Sequence, residues 1–385
     1  MKESLEIEAI HYETGKPVRI EIREDLIDRI SEMPESQHFQ ELYVAPGLID
    51  NQINGYKGID LSAEDLTPDK MKTAVEYIRR DGVTTFQPTV ITNSHERLLM
   101  IFRNLAEAMK EKDISNSVPG FHLEGPYISP EEGFYGCHPA AFIRKPSWSE
   151  FSDYQEAAEG NIRQVTVAPE VEGAIEFIKL CTANNVIVSI GHTNASAEQV
   201  RVAVDNGASL STHLGNGCAN LIDRHKNPLW PQLANDLLVP SIIADGHHLL
   251  PEEVQVFFKV KGPDNIILTS DVTHLIGMAP GKYIFLGSEI VYTSDGLIKN
   301  PKLNVLAGAS YPILRGVENM MNFTACSLGE AINLATKNVS RVCNLPDRGS
   351  LETGRRADLI LFERDGNKLN IKQTWVNGRI VYTSL

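Results

Sequence analysis

Positive charge is scarce in this 385-residue sequence: 36 Lys and Arg stand against 50 Asp and Glu, a net charge of −14. That balance argues against nucleic acid or an anionic membrane as the main partner, because both are bound through clustered cations. A small anionic substrate stays open, since one local Arg outweighs a distant field. Long apolar runs are missing too. None reaches the roughly 18 residues that a membrane-spanning helix needs. Cysteine is sparse, with five residues (137, 181, 218, 326 and 343) and no Cys-x-x-Cys spacing. This excludes a disulfide framework and suits a reducing cytoplasm. The start, Met1-Lys2-Glu3-Ser4-Leu5-Glu6, carries charges where a secretory signal needs an apolar stretch. There is no Gly-x-Gly-x-x-Gly string, no Walker-type loop, no long low-complexity segment and no short internal repeat. A cytoplasmic protein with one large and one small unit is the expectation.

What is present is an alternation. From about residue 47 to 346, short β-branched runs alternate with amphipathic stretches. The runs include Thr84–Thr89, Val118–Glu124, Val165–Glu170, Val186–His192, Leu210–Leu214, Ser241–Asp245 and Ile266–Asp271. The stretches include 68–80, 96–112, 174–184, 197–206 and 251–261. Apolar runs separated by helices predict a parallel sheet covered on both sides. About eight units over roughly 300 residues suit a (β/α)8 barrel better than an open sheet. Polar residues gather at the C-terminal ends of the runs: Asp50, Gln52, Glu124, His192, His213, Asp245 and Asp271. A barrel places its chemistry at that rim. Outside the alternation, Ala9–Tyr12 and Pro17–Ile22 read as strands around a Thr14-Gly15-Lys16 turn, and Tyr43–Asp50 reads as a buried strand. Residues 371–382 read as a hairpin turning at Asn377-Gly378. Both termini, 1–46 and 347–385, are therefore expected to join in one small β-sandwich beside a barrel of residues 47–346.

Three strings carry the chemistry: His122-Leu123-Glu124-Gly125-Pro126, Gly191-His192-Thr193-Asn194 and Thr212-His213-Leu214-Gly215-Asn216. Alone, Glu124 would read as a capping or ion-paired carboxylate, and His192 as a satisfied buried histidine. Together they end three separate runs that a barrel rim converges. Three protein ligands with an open position describe a catalytic metal site. Asp271, ending a fourth run, could take a proton from water and return it to a leaving amine, or could simply cap the next helix. His138, in the loop Gly133–Pro139, is either a donor to a substrate oxygen or a surface histidine. Arg224 and His248 could bind an anionic group, Arg through its bidentate fork, or Arg224 could be a solvated loop charge. Cys137 and Cys218 lie near these strings, but no thiol has a clear base partner, so no nucleophile is expected.

The strings resemble the N-acetylglucosamine-6-phosphate deacetylases of the amidohydrolase superfamily. The likeness runs from Ala45–Asp50, with Gln52 and Asn54-Gly55, through the three strings. It continues in Ile243–His248, Ser270-Asp271, Leu306–Ala309, Gly349–Leu351 and Gly354–Leu359. It implies a (β/α)8 barrel with a β-sandwich built from both termini, and a homodimer. It implies metal ligands at Glu124, His192 and His213, Asp271 as general base and acid, and His138 polarising the acetyl carbonyl. Asn216, Gly217, Arg224, His248, Leu306 and Ala307 would form the substrate pocket, with Cys137 beside His138. Where many amidohydrolases carry His-x-His, this chain has Gln52 and Asn54. Neutral amides are poor ligands for a zinc-type ion, so one divalent metal per subunit is expected, zinc first, with iron or another divalent ion as alternatives. The implied reaction is deacetylation of N-acetylglucosamine 6-phosphate to glucosamine 6-phosphate and acetate. The alternative is hydrolysis of another N-acyl amino sugar or N-acyl compound with no phosphate requirement. Departures fall at Gly215-Asn216-Gly217, at His225–Trp230 after Arg224, and at Val272. They touch the expected substrate pocket and spare the metal set.

Overall fold

A computed structural model describes residues 5–34, 42–285 and 287–384. The charged opening residues 1–4 lie outside these. Eight parallel strands form the barrel, in the order of the chain: Leu48–Ile53, Val83–Ile91, Phe121–Glu124, Ile162–Val167, Ile187–Ile190, Ala208–Ser211, Val239–Ile242 and Ile267–Leu268. The eighth strand closes on the first just beyond its end. There Asp271 N–H donates to the Gln52 carbonyl (3.1 Å) and Asn54 N–H to the Val272 carbonyl (2.9 Å). Helices cover the outside, and the main core lies between them and the strands. The helix Pro68–Arg80 shows why these stretches are helical. Thr67 caps it by accepting from Lys70 N–H, Pro68 opens it, and Met71, Ala74, Val75 and Ile78 bury one face at three- and four-residue spacing.

Both chain ends combine in one small β unit. Its seven-stranded sheet runs Arg379–Thr383, Lys368–Val376, Leu359–Asp365, Tyr43–Pro46, Leu5–His11, Pro17–Arg23 and Leu26–Glu32. It has its own apolar core, including Ile20, Ile22, Ile27, Val44, Leu359 and Trp375. The hairpin at Asn377-Gly378 forms, with Val376 opposite Arg379.

Two elements differ from the sequence reading. The run Tyr43–Asp50 is two strands, not one. Gly47 separates them, and it has no room for a side chain, which would meet the Thr84 methyl at 2.1 Å. The first half joins the small sheet and the second opens the barrel. After the eighth strand comes an insert that the alternation did not reveal. Gly281–Phe285, Ser288–Tyr292, Ile298–Asn300 and Val305–Leu306 make a four-stranded antiparallel sheet. It stands over the C-terminal rim and supplies one wall of the cavity there.

Candidate active site

At that rim lies a cavity of about 530 Å³. Its floor holds Glu124, His192, His213 and Asp271, all buried. Glu124 ends the third strand. Its Oε1 faces Nε2 of His213 at 2.8 Å and Nε2 of His192 at 3.2 Å. One ligand atom from each of these three residues lies within 4.8 Å of the others. The arrangement fits a divalent ion on two counts. His192 Nδ1–H donates to the Phe134 carbonyl at 3.0 Å, so Nε2 is the ring nitrogen left to face Glu124 and to ligate an ion. Second, burial disfavours a charged His213, yet Glu124 and Asp271 outweigh it and hold its pKa above the ordinary value. Glu124 is disfavoured as a carboxylate by burial, but the two histidines hold it well below its usual range. Both shifts mark a spot where positive charge is favoured, as a bound cation would supply.

His192, His213 and Asp271 share a second trait. Each follows a strand end in the left-handed region, with φ of +50°, +30° and +52°. For a residue with a side chain this costs about 1–2 kcal/mol. The turn swings each group inward over the lumen, and the surrounding bonds hold it there.

Beneath the floor runs a hydrogen-bonded tier. Thr89 Oγ1 meets His122 Nδ1 at 3.3 Å, and His122 Nε2 meets Thr166 Oγ1 at 2.8 Å. Thr166 Oγ1 meets Thr212 Oγ1 at 2.7 Å, and Thr212 donates to Ser189 Oγ at 2.6 Å. A single proton order satisfies all four contacts, each hydroxyl or ring N–H donating to the next group. It requires a neutral His122, and burial pushes that imidazole down to about 4. The tier joins strands 2 to 6. His122, Ser189 and Thr212 each precede a floor ligand by one to three residues.

Asp271 is oriented by Gln52 and Asn54. Gln52 Nε2 and Asn54 Nδ2 donate to its Oδ1 at 3.0 and 2.7 Å. Its Oδ2 is left for the cavity. Burial and then Glu124 raise the Asp271 pKa above the ordinary carboxylate value, against the pull of His213, His248 and Asn54.

Around the floor, the structure brings together all but one of the expected substrate residues. Cys137, His138, Asn216, Gly217, His248, Leu306 and Ala307 line the cavity. His138 Nδ1 meets Thr92 Oγ1 at 2.8 Å, and burial and then His192 push its pKa down to about 3, so the ring is neutral. His248 Nδ1 pairs with Asp245 Oδ2 at 2.8 Å. Cys137 donates its S–H to the Leu306 carbonyl, and burial followed by Asp271 pushes the thiol up to about 12, which rules out a thiolate nucleophile at neutral pH. Arg224 is the exception. It lies exposed on the loop after strand 6, outside the cavity lining.

The departures from the expected pattern have local reasons. At Gly215 (φ +93°) a side chain would meet Leu249 at 2.6 Å, and at Gly217 (φ +62°) it would meet His192 Nδ1 at 2.8 Å. Only glycine lets this loop close over the His192 ring. The insert's Phe285, Leu297, Lys299 and Asn304 also line the cavity and were not anticipated. The insert's one sequence signal is the β-branched and aromatic content of Tyr283–Phe285 and Ile290–Tyr292 around turn residues.

The profile of the amidohydrolase family matches residues 43–381. The chain belongs to that family. Among similar amidohydrolases, the N-acetylglucosamine-6-phosphate deacetylase of Bacillus subtilis is 31% identical over 381 residues, covering 95% of this chain and 94% of its own. The N-acetylgalactosamine-6-phosphate deacetylase of Escherichia coli is 28% identical, covering 94% of each chain. Among solved structures, a variant of the Mycobacterium smegmatis N-acetyl-D-glucosamine-6-phosphate deacetylase, in complex with N-acetyl-D-glucosamine-6-phosphate, superposes with a TM-score of 0.89. It is 26% identical, and the match covers 99% of this chain and 100% of that one.

Proposed function

We propose that this amidohydrolase removes the acetyl group from N-acetylglucosamine 6-phosphate, giving glucosamine 6-phosphate and acetate. The observation that carries this reading is the meeting of Glu124, His192, His213 and Asp271 on one buried cavity floor. Glu124, His192 and His213 would hold one divalent ion, which when bound polarises an amide carbonyl and lowers the pKa of water. Asp271, oriented by Gln52 and Asn54, takes the proton of the attacking water through Oδ2. It then delivers that proton to the amine as the tetrahedral intermediate collapses. Thr92 donates to His138 Nδ1, so Nε2–H faces the acetyl oxygen and stabilises charge as it develops there. Asn216, Gly217, His248, Leu306 and Ala307 line the pocket that would hold the sugar.

Zinc is the proposed ion, since two imidazoles and a carboxylate suit it. No helix among the described residues is long and apolar enough to cross a membrane, and scattered free cysteines support a cytoplasmic site of action. The proposed assembly is a homodimer. It is supported by the exposed Leu221 and Trp230, which flank Arg224 on a loop that a second subunit would cover. Residues 1–46 and 347–385 are proposed as one domain and 47–346 as the other, supported by the sheet that draws on both ends.

Acetate release over a panel tests the reading: N-acetylglucosamine and N-acetylgalactosamine, each with and without 6-phosphate. The highest kcat/KM is expected on N-acetylglucosamine 6-phosphate. Preference for the galacto epimer, which the Escherichia coli relative makes the second candidate, would change the sugar and keep the chemistry. Release from none of the four would sink the assignment.

A further inference from the structure

We propose that Glu170 is a positioning residue for the metal site: its carboxylate, which stands outside the cavity, fixes the turn that aims His192 Nε2 at the ion. The proposal rests on the reading of Glu124, His192 and His213 as ligands of one divalent ion.

The run Val165–Glu170 ends in a carboxylate that has no place on the floor. Glu170 lies three residues past the end of strand 4 and does not line the cavity. Both of its oxygens are committed to the turn that carries His192, beyond the end of strand 5. Oε1 accepts from Asn194 N–H at 2.7 Å, and Oε2 accepts from the Thr193 hydroxyl. Thr193 Oγ1 in turn accepts from Ala195 N–H at 3.0 Å. On the other flank, Gly191 N–H donates to the Val167 carbonyl of strand 4 at 3.3 Å. The left-handed residue His192 is therefore held on both sides by strand 4 and its extension.

A second set of bonds fixes the ring. Ser129 N–H donates to the His192 carbonyl at 2.9 Å, and the Phe134 carbonyl takes the ring Nδ1–H at 3.0 Å. Asn194 Nδ2 donates to Glu131 Oε2 at 2.8 Å, which ties this loop to the segment that Glu170 holds. Glu170 sets where the His192 backbone stands, and loop 129–134 sets the rotation of the ring. Glu131 is exposed, whereas Thr193 is buried, so the stronger hold is that of Glu170. The other two left-handed floor residues are held differently. His213 and Asp271 donate their own N–H groups to neighbouring strands, at Ser241 Oγ (2.8 Å) and the Gln52 carbonyl (3.1 Å). At His192 a carboxylate does that work, and a carboxylate is required because two donors need two acceptors. A glutamine offers one acceptor oxygen and turns an NH₂ group against the remaining donor.

The test uses the full-length protein and its Glu170→Gln, Thr193→Val and Thr193→Ser variants. Zinc affinity is measured by competition with a chromophoric chelator at a temperature where the metal-free form is folded, and thermal unfolding of that form is followed in parallel. Zinc should bind about ten- to a hundredfold more weakly to Glu170→Gln, the scale of lost support behind a ligating histidine. Thr193→Val should weaken binding in the same direction, and Thr193→Ser, which keeps the hydroxyl, should bind as the unsubstituted protein does. Unchanged zinc affinity in Glu170→Gln, including a loss of thermal stability with no loss of affinity, overturns the Glu170 assignment and leaves the metal and deacetylase readings standing. If Glu170→Gln does not fold, the Thr193 pair decides: equal affinity in the Val and Ser variants overturns the assignment. Failure of the unsubstituted protein to bind either zinc or ferrous iron overturns both the assignment and the metal reading beneath it.

Discussion

The floor of the cavity and its mouth are built on opposite plans. Every chemical group of the floor grows from a barrel strand, is buried, and rests on other bonded groups: His192 on Phe134, Asp271 on Gln52 and Asn54, and the ligand-bearing strands on the His122–Thr166–Thr212 tier. The mouth is made of glycine-bearing loops and a short antiparallel insert. Its polar groups are exposed or half-buried and their bonds are pairwise: His248 pairs with Asp245 at 2.8 Å, and Asn220 reaches the Asn304 carbonyl at 3.2 Å to link its two sides. The difference teaches where change is tolerated. Groups that share a network must move together, whereas a mouth residue can be exchanged one at a time. The departures from the deacetylase pattern at 215–217 and 225–230 fall in such loops, and the third, the buried Val272 after Asp271, leaves the floor's own chemical groups unchanged.

The largest effect should come from the floor's proton carrier. Asp271→Asn keeps the shape and both amide neighbours but cannot take a proton. Turnover is expected to fall about 10²–10⁴-fold while the protein retains its metal, read by acetate release and metal analysis on one sample. Substantial activity would remove Asp271 from its role and break the contrast at its strongest point. Next comes the tier. Thr166→Val removes the hydroxyl that bridges His122 and Thr212, leaving buried polar atoms unpaired, and should cost about 1–3 kcal/mol of stability. A denaturant titration measures it, and Thr166→Ser should restore most of it. A neutral result would show that the floor is not wired as described. The smallest effect is a shift and not a loss. Asn54 favours the ionised form of Asp271, so Asn54→Ala should raise the Asp271 pKa further. Because the base is active when deprotonated, activity is lost as pH falls through that pKa. The acid limb of kcat/KM should therefore move to higher pH. An unmoved limb would mean that the amides do not tune this carboxylate.

Much of the floor was legible in the sequence because a parallel strand buried on both faces reads as an apolar run, and a Glu or His at its end breaks the pattern visibly. The barrel followed from the same alternation. The tier was not legible. His122, Thr166 and Thr212 are separated in the chain and each looks like an ordinary strand residue, so only closure of the barrel shows that their side chains form one line. The role of Gln52 and Asn54 was half legible: they read as poor metal ligands, and only the geometry makes them the donors that aim Asp271. The mouth was hardest. The insert's strands are short and mixed in polarity, so Lys299 gave no pattern to find. Arg224, singled out by its type and place in the motif, stands outside the single chain's cavity because the loop after strand 6 carries it outward.

The small sheet has a consequence for how the chain is made. Its central strand, Tyr43–Pro46, pairs on one side with Leu5–His11 and on the other with Leu359–Asp365. During synthesis the first partner is at hand within moments, but the second arrives only after the whole barrel has been translated. Until then one edge of an apolar strand stands open, an invitation to other nascent chains. Premature termination anywhere within the barrel would thus yield a product whose unpaired edge is sticky, and aggregation rather than loss of catalysis would be the first sign of it.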